Sequence, residues 1–308
     1  MEELKVFCPA TIANVSCGFD VLGLALAKVG DEMTIKKTRE PGITISKIEG
    51  QDLPLDTDHN VAGVAAKALL QQLGDSYHGG FDIAIHKKIK PGSGIGSSAA
   101  SAAGAVAGIN QLLDHPFSQT ALVRFAMQGE KLASGVAHAD NVAPAILGGF
   151  TLVRSYEPLD IIKIPTPSLL YATILHPQIE IKTADSRKIL KTSITLQSGI
   201  KQWGNLGGLI AGLYTNDYEL IGRSLEDHII EPIRSILIPG YDIVKQVALK
   251  TGALGVGISG SGPSIFALSK GKETAERVAE KMYDNYDTIG LEFDMHISPI
   301  ASQGVHLI

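Results

Sequence analysis

A stretch rich in glycine, serine and alanine, residues 90–104, constrains the fold of this chain more than any other segment. It reads Lys-Pro-Gly-Ser-Gly-Ile-Gly-Ser-Ser-Ala-Ala-Ser-Ala-Ala-Gly and follows an alternating apolar run at residues 81–86, which predicts a strand. After it, small residues continue without a proline until Pro116, which predicts a helix. A strand, a glycine loop and a helix start in this order can present backbone amides to an anion.

The loop has the properties that an anion site requires. Gly92, Gly94 and Gly96 lack a Cβ, so the backbone can adopt positive φ angles and approach a ligand closely. Ser97 and Ser98 are predicted to cap the helix, whose unpaired amides and positive dipole end would then face the loop. The sequence therefore predicts a phosphate-binding loop.

The glycine spacing excludes the two best-known phosphate loops. A Walker A loop has a lysine after its last glycine, whereas Gly96 is followed directly by Ser97. A dinucleotide fingerprint requires Gly-x-Gly-x-x-Gly, which is not the spacing of these glycines. A tight turn before a buried helix stays open as an alternative, although the preceding strand and the Ser-Ser-Ala-Ala continuation favour phosphate binding.

Length and composition predict one large folded domain or two. The 308 residues are 44% hydrophobic and 19% charged, and a net charge of −5 gives no electrostatic footprint for nucleic acid. Lysine and arginine are dispersed, so no basic run predicts binding to a membrane surface. Prolines cluster at residues 157–167, and we predict a boundary there, between domains at residues 1–160 and 161–308.

The cysteines and the N-terminal residues bear on the cellular compartment. Cys8 and Cys17 form no Cys-x-x-Cys pair and no cluster with zinc spacing, so we expect neither a disulfide framework nor a zinc site. Asn14 and Asp20 interrupt the apolar stretch near the N-terminus, which therefore fits neither a signal peptide nor a membrane span. The sequence predicts a soluble cytoplasmic protein.

Hydrophobic periodicity predicts mixed helices and strands along the chain. For the first half we predict strands at 4–8, 21–26, 32–37, 42–49 and 81–86, a loop at 9–20, and helices at 60–73 and 120–132. For the second half we predict strands at 169–176 and 291–297, a hairpin at 255–268, and helices at 183–190, 197–214, 218–230, 241–251 and 272–286. The second order is typical of an α+β layer with helices on one face of an antiparallel sheet.

Polar residues near the predicted loop are candidates for a binding site. Asn14 and Asp20 could line a pocket for a small polar molecule, but they could equally hold a local turn. Glu130 could ligate Mg²⁺ together with the hydroxyl of Ser98, or it could face solvent on its predicted helix.

A second group of polar residues lies just before an apolar run. His138, Asp140 and Asn141 occur within four residues. A lone histidine usually has a structural role, but such a role explains three neighbouring polar residues less easily. The glycine turn in the hairpin at 255–268 could be a simple turn or a second backbone wall against a phosphate group. These segments extend the candidate site to both halves of the chain.

Three stretches, residues 9–26, 91–103 and 255–268, together resemble the three motifs of the GHMP small-molecule kinases. This family includes galactokinase, homoserine kinase, mevalonate kinase and phosphomevalonate kinase. Within it, the chain is most similar to the homoserine kinases. The residues that carry this similarity are Pro9-Ala10-Thr11 with Asn14, and the segments 18–24, 138–145, 231–234 and 238–240.

The resemblance implies a fold and an activity. The fold would be the two-domain GHMP kinase fold of the α+β class, with an N-terminal ribosomal-S5-like domain carrying the phosphate loop, a C-terminal ferredoxin-like domain, and the active site between them. The activity would be phosphorylation of the side-chain hydroxyl of L-homoserine to O-phospho-L-homoserine, in threonine biosynthesis. The resemblance also implies ATP and Mg²⁺ as cofactors and a homodimer.

The same resemblance implies roles at the nucleotide end of the site. Ser98 and Glu130 would hold Mg²⁺. Asn60 and Lys87 would lie near the nucleotide. The residues expected to contact it directly are Pro91, Gly92, Ser93, Gly94, Ile95, Gly96, Ser97, Ser98, Ala99, Ala100 and Ser101.

At the acceptor end, the amino acid would be held by its charges. Arg187 and Arg234 would bind its carboxylate, although from sequence alone surface salt bridges are the commoner role of arginine. Asp140, with His138 and Asn141 beside it, would meet the ammonium.

The reacting hydroxyl would be fixed by Asn14 and Asp20, with Thr183 as a candidate contact to the γ-phosphate. Asp20 could be the base, or the proton could pass to a phosphate oxygen without a protein base.

Two alternatives to the homoserine reaction stay open. The chain could be another GHMP kinase, for a mevalonate-type or sugar acceptor. It could instead be a non-catalytic protein on the same scaffold that senses an amino acid or a nucleotide. The presence of both Ser98 and Glu130 favours an enzyme, because a sensor does not need to position Mg²⁺.

Overall fold

The computed structural model describes residues 1–181 and 183–308, with all their side chains except those of Ser134, Thr183 and Ala184. In these residues the chain forms two sheets. The strands are β1 (Glu3–Ala13), β2 (Leu22–Thr38), β3 (Gly42–Glu49), β4 (Gly80–His86), β5 (Phe150–Tyr156), β6 (Leu159–Ile164), β7 (Leu170–Pro177), β8 (Gly255–Ile258), β9 (Ile265–Lys270), β10 (Phe293–Pro299) and β11 (His306–Leu307).

The helices of the described chain are likewise numbered in chain order. They are α1 (Val61–Leu73), α2 (Ser97–Leu112), α3 (Gln119–Ser134), α4 (Val142–Leu147), α5 (Thr183–Lys188), α6 (Leu196–Thr215), α7 (Tyr218–Ser224), α8 (Glu231–Arg234), α9 (Tyr241–Thr251) and α10 (Lys272–Asp287). Short 3-10 turns lie at Gly74–Ser76 and Ser235–Leu237.

The first sheet is built around the long strand β2. This strand pairs antiparallel with β1, β4 and β5, while β3 lies parallel beside β4 and β6 continues the sheet from β5. The short strand β11 pairs with β1, so residues from the second half of the chain complete the first sheet. Helix α2 packs against β1 and β2, with α1 and α3 beside it.

Small residues let helix α2 lie close to the first sheet. Its buried positions are mostly alanine, glycine or serine, and a Cβ on Gly104 would lie 2.3 Å from the Sγ of Cys8 in β1. Side chains of ordinary size would push the helix outward, because a buried core has no space for extra atoms. The alanine-rich sequence therefore fixes where the N-terminal end of α2 lies relative to β1.

The second sheet is antiparallel throughout, in the order β10, β7, β9, β8. Helices α9 and α10 cover it and bury an apolar cluster that includes Val244, Met282 and Tyr286. Leu170 and Phe266, from the same sheet, pack instead into the core beneath the first sheet. The two halves of the chain therefore share apolar contacts.

Some elements differ from the sequence-based expectation. The predicted loop at residues 9–20 is wrong over its first part, because β1 continues to Ala13 and pairs with residues 23–25 beyond a bulge. Residues 8–13 are buried on both faces, so they lack the alternation that marks a half-buried strand. The predicted helix at 218–230 ends at Ser224, and the hairpin of β5 and β6 was not predicted.

None of the described helices is both long enough and apolar enough to cross a lipid bilayer.

Candidate active site

The loop between β4 and α2 has the backbone that the sequence predicts. Gly92, Gly94 and Gly96 have φ angles of 75°, 84° and 70°, and Gly96 is the N-cap of α2 in the left-handed conformation. The prediction that Ser97 and Ser98 cap the helix is wrong, because both already lie inside its first turn. The cap position requires a positive φ, which glycine adopts without the steric penalty of a Cβ.

Gly96 also lies too close to β1 for any side chain. A Cβ at this position would be 2.0 Å from the Oγ1 of Thr11, whose hydroxyl donates a 2.7 Å hydrogen bond to the Oδ1 of Asn141. The amide of Thr11 donates to the carbonyl of Ile95 at 3.1 Å. The end of the loop is thereby fixed against the first sheet.

Two serine hydroxyls from the second half bind the loop on its other side. Ser259 donates to the carbonyl of Gly94 and Ser264 to the carbonyl of Ser93, both at 2.7 Å. We call this pair of contacts the serine seam. Its acceptors are loop carbonyls, and in the described chain no partner outside α2 accepts a hydrogen bond from the amides of residues 94–98.

Lys87 holds the first turn of α2 to the end of β4. Its ammonium is ion-paired with the fully buried Asp31, and it donates to the carbonyl of Ser97 at 2.6 Å and the hydroxyl of Ser101 at 2.9 Å. Asn60, the other residue expected near the nucleotide, accepts from the amide of Ala62 as the N-cap of α1. Its Nδ2 donates to the carbonyl of Pro54 at 2.8 Å, so the contacts of Asn60 in this structure are those of a helix cap.

A cavity of about 560 Å³ opens between the loop and the second half of the chain. It brings together most of the predicted site residues. At the end where the sequence predicts the nucleotide, here called the nucleotide end, the lining residues are Lys87, Pro91, Gly92, Gly94, Gly96, Ser97, Ser98, Ser101 and Glu130. At the end where the sequence predicts the acceptor, here called the acceptor end, they are Asn14, Asp20, His138, Asp140, Asn141, Arg187 and Arg234.

The remaining predicted residues lie elsewhere. Ser93, Ile95, Ala99 and Ala100 are buried behind the cavity wall, where they pack the loop and the start of α2. Thr183 begins α5, but its side chain lies outside the described residues.

Glu130 on α3 is a buried carboxyl group beside the loop. It is hydrogen-bonded to the side chain of Ser98, and burial raises the pKa of Glu130 to about 7, against the opposing influence of Ser98 and Lys87. Burial disfavours the charged form of a carboxyl group, and a nearby cation would restore it. A carboxylate and a hydroxyl are oxygen ligands of the kind that Mg²⁺ takes. Among the residues with described placement, no group of three or more His, Cys, Asp or Glu could hold a metal ion.

At the acceptor end, Arg187 and Asp20 are bound to each other. The Nη1 of Arg187 lies 3.0 Å from the Oδ2 of Asp20, and its Nη2 lies 2.9 Å from Oδ1, a bidentate arrangement. The same Nη2 lies 3.0 Å from the Nε2 of His138. Because a guanidinium group only donates, Nε2 accepts, and burial lowers the pKa of His138 in agreement with a neutral ring.

Arg234 is the second cation of the acceptor end and is buried. Its Nε donates to the carbonyl of Ser186 at 3.2 Å, and its Nη1 donates to the carbonyl of Gly260 at 3.1 Å. Burial lowers its pKa to about 10, which leaves it charged at neutral pH. The guanidinium carbons of Arg187 and Arg234 lie 5.5 and 5.1 Å from the ring centre of Phe19, so that both cations contact one aromatic ring.

Asp140 adds a second carboxyl group at this end. Its side chain is almost fully buried, and no described residue donates a hydrogen bond to its Oδ1. Burial raises the pKa of Asp140 to about 7, and the carboxylates of Asp20 and Glu130 act in the same direction. A buried oxygen without a donor is unfavourable, so a ligand that donates a hydrogen bond here would be stabilised.

Asn14 holds the turn that presents Asp20. Its Oδ1 accepts from the amide of Asp20 at 3.0 Å, and its Nδ2 donates to the carbonyl of Gly260 at 2.8 Å. Asn14, Val15 and Ser16 have φ angles of 70°, 42° and 61°, a run of left-handed residues that is unusual outside glycine. The sequence left two interpretations of Asn14, that it lines a pocket or that it holds a local turn, and these hydrogen bonds are those of a residue that holds a turn.

Eight of the described residues that line the cavity were not among the predicted contacts, and four of these eight come from the second half of the chain. Gly260 and Ser261 belong to the glycine turn that the sequence marked as a possible second wall. Glu180 and Ile181 follow strand β7 in a segment whose local pattern gives no functional signal. Their position at the cavity comes from the packing of the two halves, which a sequence pattern does not encode.

Comparisons with known proteins show the family of the chain. Residues 60–149 match the GHMP kinases N terminal domain, and residues 209–288 match the GHMP kinases C terminal domain. A homoserine kinase of Chlorobium phaeobacteroides (strain DSM 266 / SMG 266 / 2430) is 46% identical over 320 residues, covering 100% of both chains.

Solved structures give the same picture. The crystal structure of homoserine kinase from Cytophaga hutchinsonii ATCC 33406 has a TM-score of 0.95 and 50% identity, covering 100% of this chain and 98% of that one. The crystal structure of the Methanococcus jannaschii mevalonate kinase, with a TM-score of 0.68 and 14% identity, covers 96% of this chain and 98% of that one. The latter is similar in fold alone.

Proposed function

The chain belongs to the GHMP kinase family, and from this premise we propose that it catalyses the ATP-dependent phosphorylation of L-homoserine to O-phospho-L-homoserine, in threonine biosynthesis. The two-domain α+β fold expected from the sequence is confirmed by the same matches. The observation that carries the proposal is the cavity, which has a glycine loop at one end and two guanidinium groups beside two carboxyl groups at the other.

We propose that the loop binds the phosphates of ATP. The amides of residues 94–98 and the N-terminus of α2 supply donors and a positive dipole end, and Lys87 holds the first turn of α2 in place. Ser98 and Glu130 would hold Mg²⁺, which neutralises charge on the phosphate oxygens when bound. Its remaining ligands would be phosphate oxygens and water.

We propose that the acceptor end recognises a zwitterion. Two arginines and two aspartates give this end a formal charge of zero, which matches an amino acid with one carboxylate and one ammonium group. In the described chain the hydrogen bonds of Arg234 use Nε and Nη1, which leaves Nη2 for the carboxylate. Arg187 would turn from Asp20 to the same carboxylate, and Asp20 and Asp140 would then receive the ammonium.

The remaining predicted residues would keep these groups in place. His138 accepts from Arg187, and Asn141 accepts from Thr11 beside Gly96, so we propose that both orient the wall between the two ends. Asn14 would hold the turn with Asp20 and so place the acceptor hydroxyl. Thr183 remains a candidate contact to the γ-phosphate.

We propose that the hydroxyl proton passes to a phosphate oxygen without a protein base. Asp20 is paired with Arg187 in this structure, and with the acceptor bound its carboxylate would face the ammonium, so it is not free to take the hydroxyl proton in either state. Asp20→Asn should therefore keep kcat within about tenfold at saturating homoserine, because removal of a base typically lowers turnover by about 10²–10⁴-fold. Steady-state kinetics measure this, and a loss in that larger range would assign the base role to Asp20.

We also propose that the protein is a homodimer that associates through α6. Leu196, Ile200, Trp203 and Tyr214 are large apolar side chains exposed at helical spacing along this helix. Gly207 lies on the same face and offers a notch for the tryptophan of a second copy. Analytical ultracentrifugation should give a dimer for the wild type and a monomer for Trp203→Glu; a wild-type monomer at micromolar concentration would contradict the assembly.

The decisive experiment is ATP turnover with four acceptors: L-homoserine, L-threonine, L-serine and mevalonate. Mevalonate offers Arg187 and Arg234 a carboxylate but gives Asp20 and Asp140 no ammonium, so it should be a poor acceptor. Serine and threonine keep both charges but carry the hydroxyl one carbon closer to them. Homoserine should have the highest kcat/KM. Binding of homoserine without ATP turnover would support the sensor alternative instead.

A further inference from the structure

Gln202, on helix α6, is a buried amide between the two segments that form the acceptor end. Its Nε2 donates to the carbonyl of Cys17, in the turn that presents Asp20, and to the Oδ1 of Asp227, both at 3.0 Å. Its Oε1 accepts from the amide of His228 at 2.9 Å. One side chain therefore joins the N-terminal turn to the segment that leads into α8.

Asp227 holds the start of α8. Its Oδ1 accepts from the amides of Ile229 and Ile230 at 2.9 and 3.0 Å, and its Oδ2 accepts from the amide of Glu231 at 3.0 Å. Because α8 has only four residues, it cannot be stable on its own and depends on contacts of this kind. Asp227 is buried and is therefore shielded from water that would weaken these bonds.

Arg234 is the last residue of α8, so its position follows from that of the helix start. Its guanidinium group is bound to two carbonyls, of Ser186 and Gly260, which belong to other segments. A displacement of α8 would break both bonds and leave a buried cation without partners. Neither Gln202 nor Asp227 lines the main cavity, so both could affect a ligand only through other residues.

We propose that Asp227 and Gln202 are positioning residues for the acceptor: Asp227 fixes α8 and thereby Arg234, and Gln202 keeps this segment in register with the turn that carries Asp20. Together they set the distance between the group that binds the carboxylate and the group that binds the ammonium. This inference rests on the function proposed above.

The test compares two acceptors that differ in the carboxylate alone, L-homoserine and 3-aminopropan-1-ol. In Asp227→Ala, the KM for homoserine should rise about 10- to 100-fold, since a misplacement of about 1 Å can lower activity 10²-fold. The KM for ATP should stay within about twofold, because the loop is held by other contacts. The preference for homoserine over 3-aminopropan-1-ol, as a ratio of kcat/KM, should fall by the same factor as the homoserine KM rises.

Asp217→Ala is the matched control. Asp217 caps α7 in the same way that Asp227 holds α8. Its Oδ1 accepts from the amide of Leu220 at 3.0 Å, but Asp217 lies at the surface away from the cavity. Its loss should lower the melting temperature by a few degrees and leave both KM values unchanged. The control separates the effect of a lost cap from the effect of a displaced Arg234.

The outcomes are distinguishable. An Asp227→Ala protein that melts lower but keeps its homoserine KM, or that loses activity equally on both acceptors, overturns the inference. If this variant does not fold, Gln202→Met, which keeps the volume and removes both hydrogen bonds of Nε2, is judged by the same ratio. A wild-type protein that does not phosphorylate homoserine contradicts the proposed function, whereas an active wild type with unchanged discrimination in the variants contradicts only the positioning roles.

Discussion

The two ends of the cavity are held in place by different means. At the nucleotide end, backbone atoms carry the geometry: glycines with positive φ, the close contact of Gly96 with Thr11, and the serine seam. At the acceptor end, long charged side chains carry it, and Arg187 and Asp20 are bound to each other. The first end therefore has its shape without a ligand, while the second has its charges paired with each other; in the function proposed above, a zwitterion would replace each partner of that pair.

This contrast predicts different responses to substitution. A side chain added to the loop should act through shape, because the backbone has no space to move into. A side chain removed at the acceptor end should act through charge, because breaking a buried pair leaves the other partner without compensation. Substitutions at one end should therefore change the KM of one substrate and leave the other nearly unchanged.

Arg234→Ala should have the largest effect and tests whether the acceptor end depends on charge. Removing one partner of a buried charged contact typically weakens binding by about 2–5 kcal/mol, so the KM for homoserine should rise about 300-fold, the middle of that range. The KM for ATP should not change. Arg154→Ala, which removes an arginine from an exposed ion pair with Asp160, is the matched control and should leave both values as they are. An unchanged homoserine KM in Arg234→Ala would remove the carboxylate role.

Gly96→Ala should have the next largest effect and tests whether the nucleotide end depends on shape. Its Cβ would lie 2.0 Å from the Oγ1 of Thr11, so the loop must move, and kcat/KM for ATP should fall about 100-fold. Gly135→Ala is the control, since Gly135 is also left-handed but a Cβ there meets no atom within 4 Å. It should cost about 1–2 kcal/mol of stability and no activity. Equal kinetics for both variants would contradict a shape-dependent loop.

Asp140→Asn should have a smaller, pH-dependent effect at the acceptor end. In the wild type the homoserine KM should rise as pH falls through about 7, by at most about tenfold per pH unit, because Asp140 takes up a proton and loses its attraction for the ammonium. In Asp140→Asn this dependence should disappear when MgATP is saturating. Parallel pH profiles for the two proteins would show that Asp140 does not bind the ammonium.

The same carboxyl group should affect stability with a defined sign. The folded protein keeps the proton of Asp140 up to about pH 7, whereas the unfolded chain releases it near the ordinary value of 3.8. The folded state therefore binds more protons in this window, and the contribution of Asp140 to the free energy of unfolding falls as pH rises, by at most about 1.4 kcal/mol per pH unit. Urea titrations of wild type and Asp140→Asn at pH 5 and 7 should reveal this difference.

Ser259→Ala should have the smallest effect and refines the comparison, because it weakens the nucleotide end from the second half of the chain. It removes one neutral hydrogen bond to the Gly94 carbonyl, which is typically worth about 0.5–1.5 kcal/mol. We expect kcat/KM for ATP to fall about 2- to 10-fold with little change in the homoserine KM. A homoserine effect larger than the ATP effect would show that the seam serves the acceptor end instead.

Sequence alone predicted the parts of the molecule that depend on local chemistry. The loop at 91–96 was found because positive φ, small residues and a following helix leave a local signature. The sequence pattern favours Ser97 and Ser98 as caps because side-chain caps are the commoner arrangement, whereas in the structure Gly96 occupies the cap position without a side chain.

The rest depends on contacts between distant residues. Asp20 and Arg187 are 167 positions apart, and no local sequence pattern predicts that their side chains pair with each other in the structure without substrate. The extension of β1 to Ala13 depends on pairing with residues 23–25 across a bulge, which periodicity does not reveal. The role of Gln202 likewise requires that α6 pack against the turn of Cys17.

The serine seam has a consequence for how such enzymes can be recombined. Ser259 and Ser264 come from the second half of the chain, yet they donate hydrogen bonds to carbonyls of a loop that belongs to the first half. In a chimera that joins the N-terminal half of one homologue to the C-terminal half of another, these hydrogen bonds would therefore be disturbed unless residues 93–94 and 259–264 came from the same parent. In a library of such hybrids, the members that still turn over ATP should carry both short segments from the same parent.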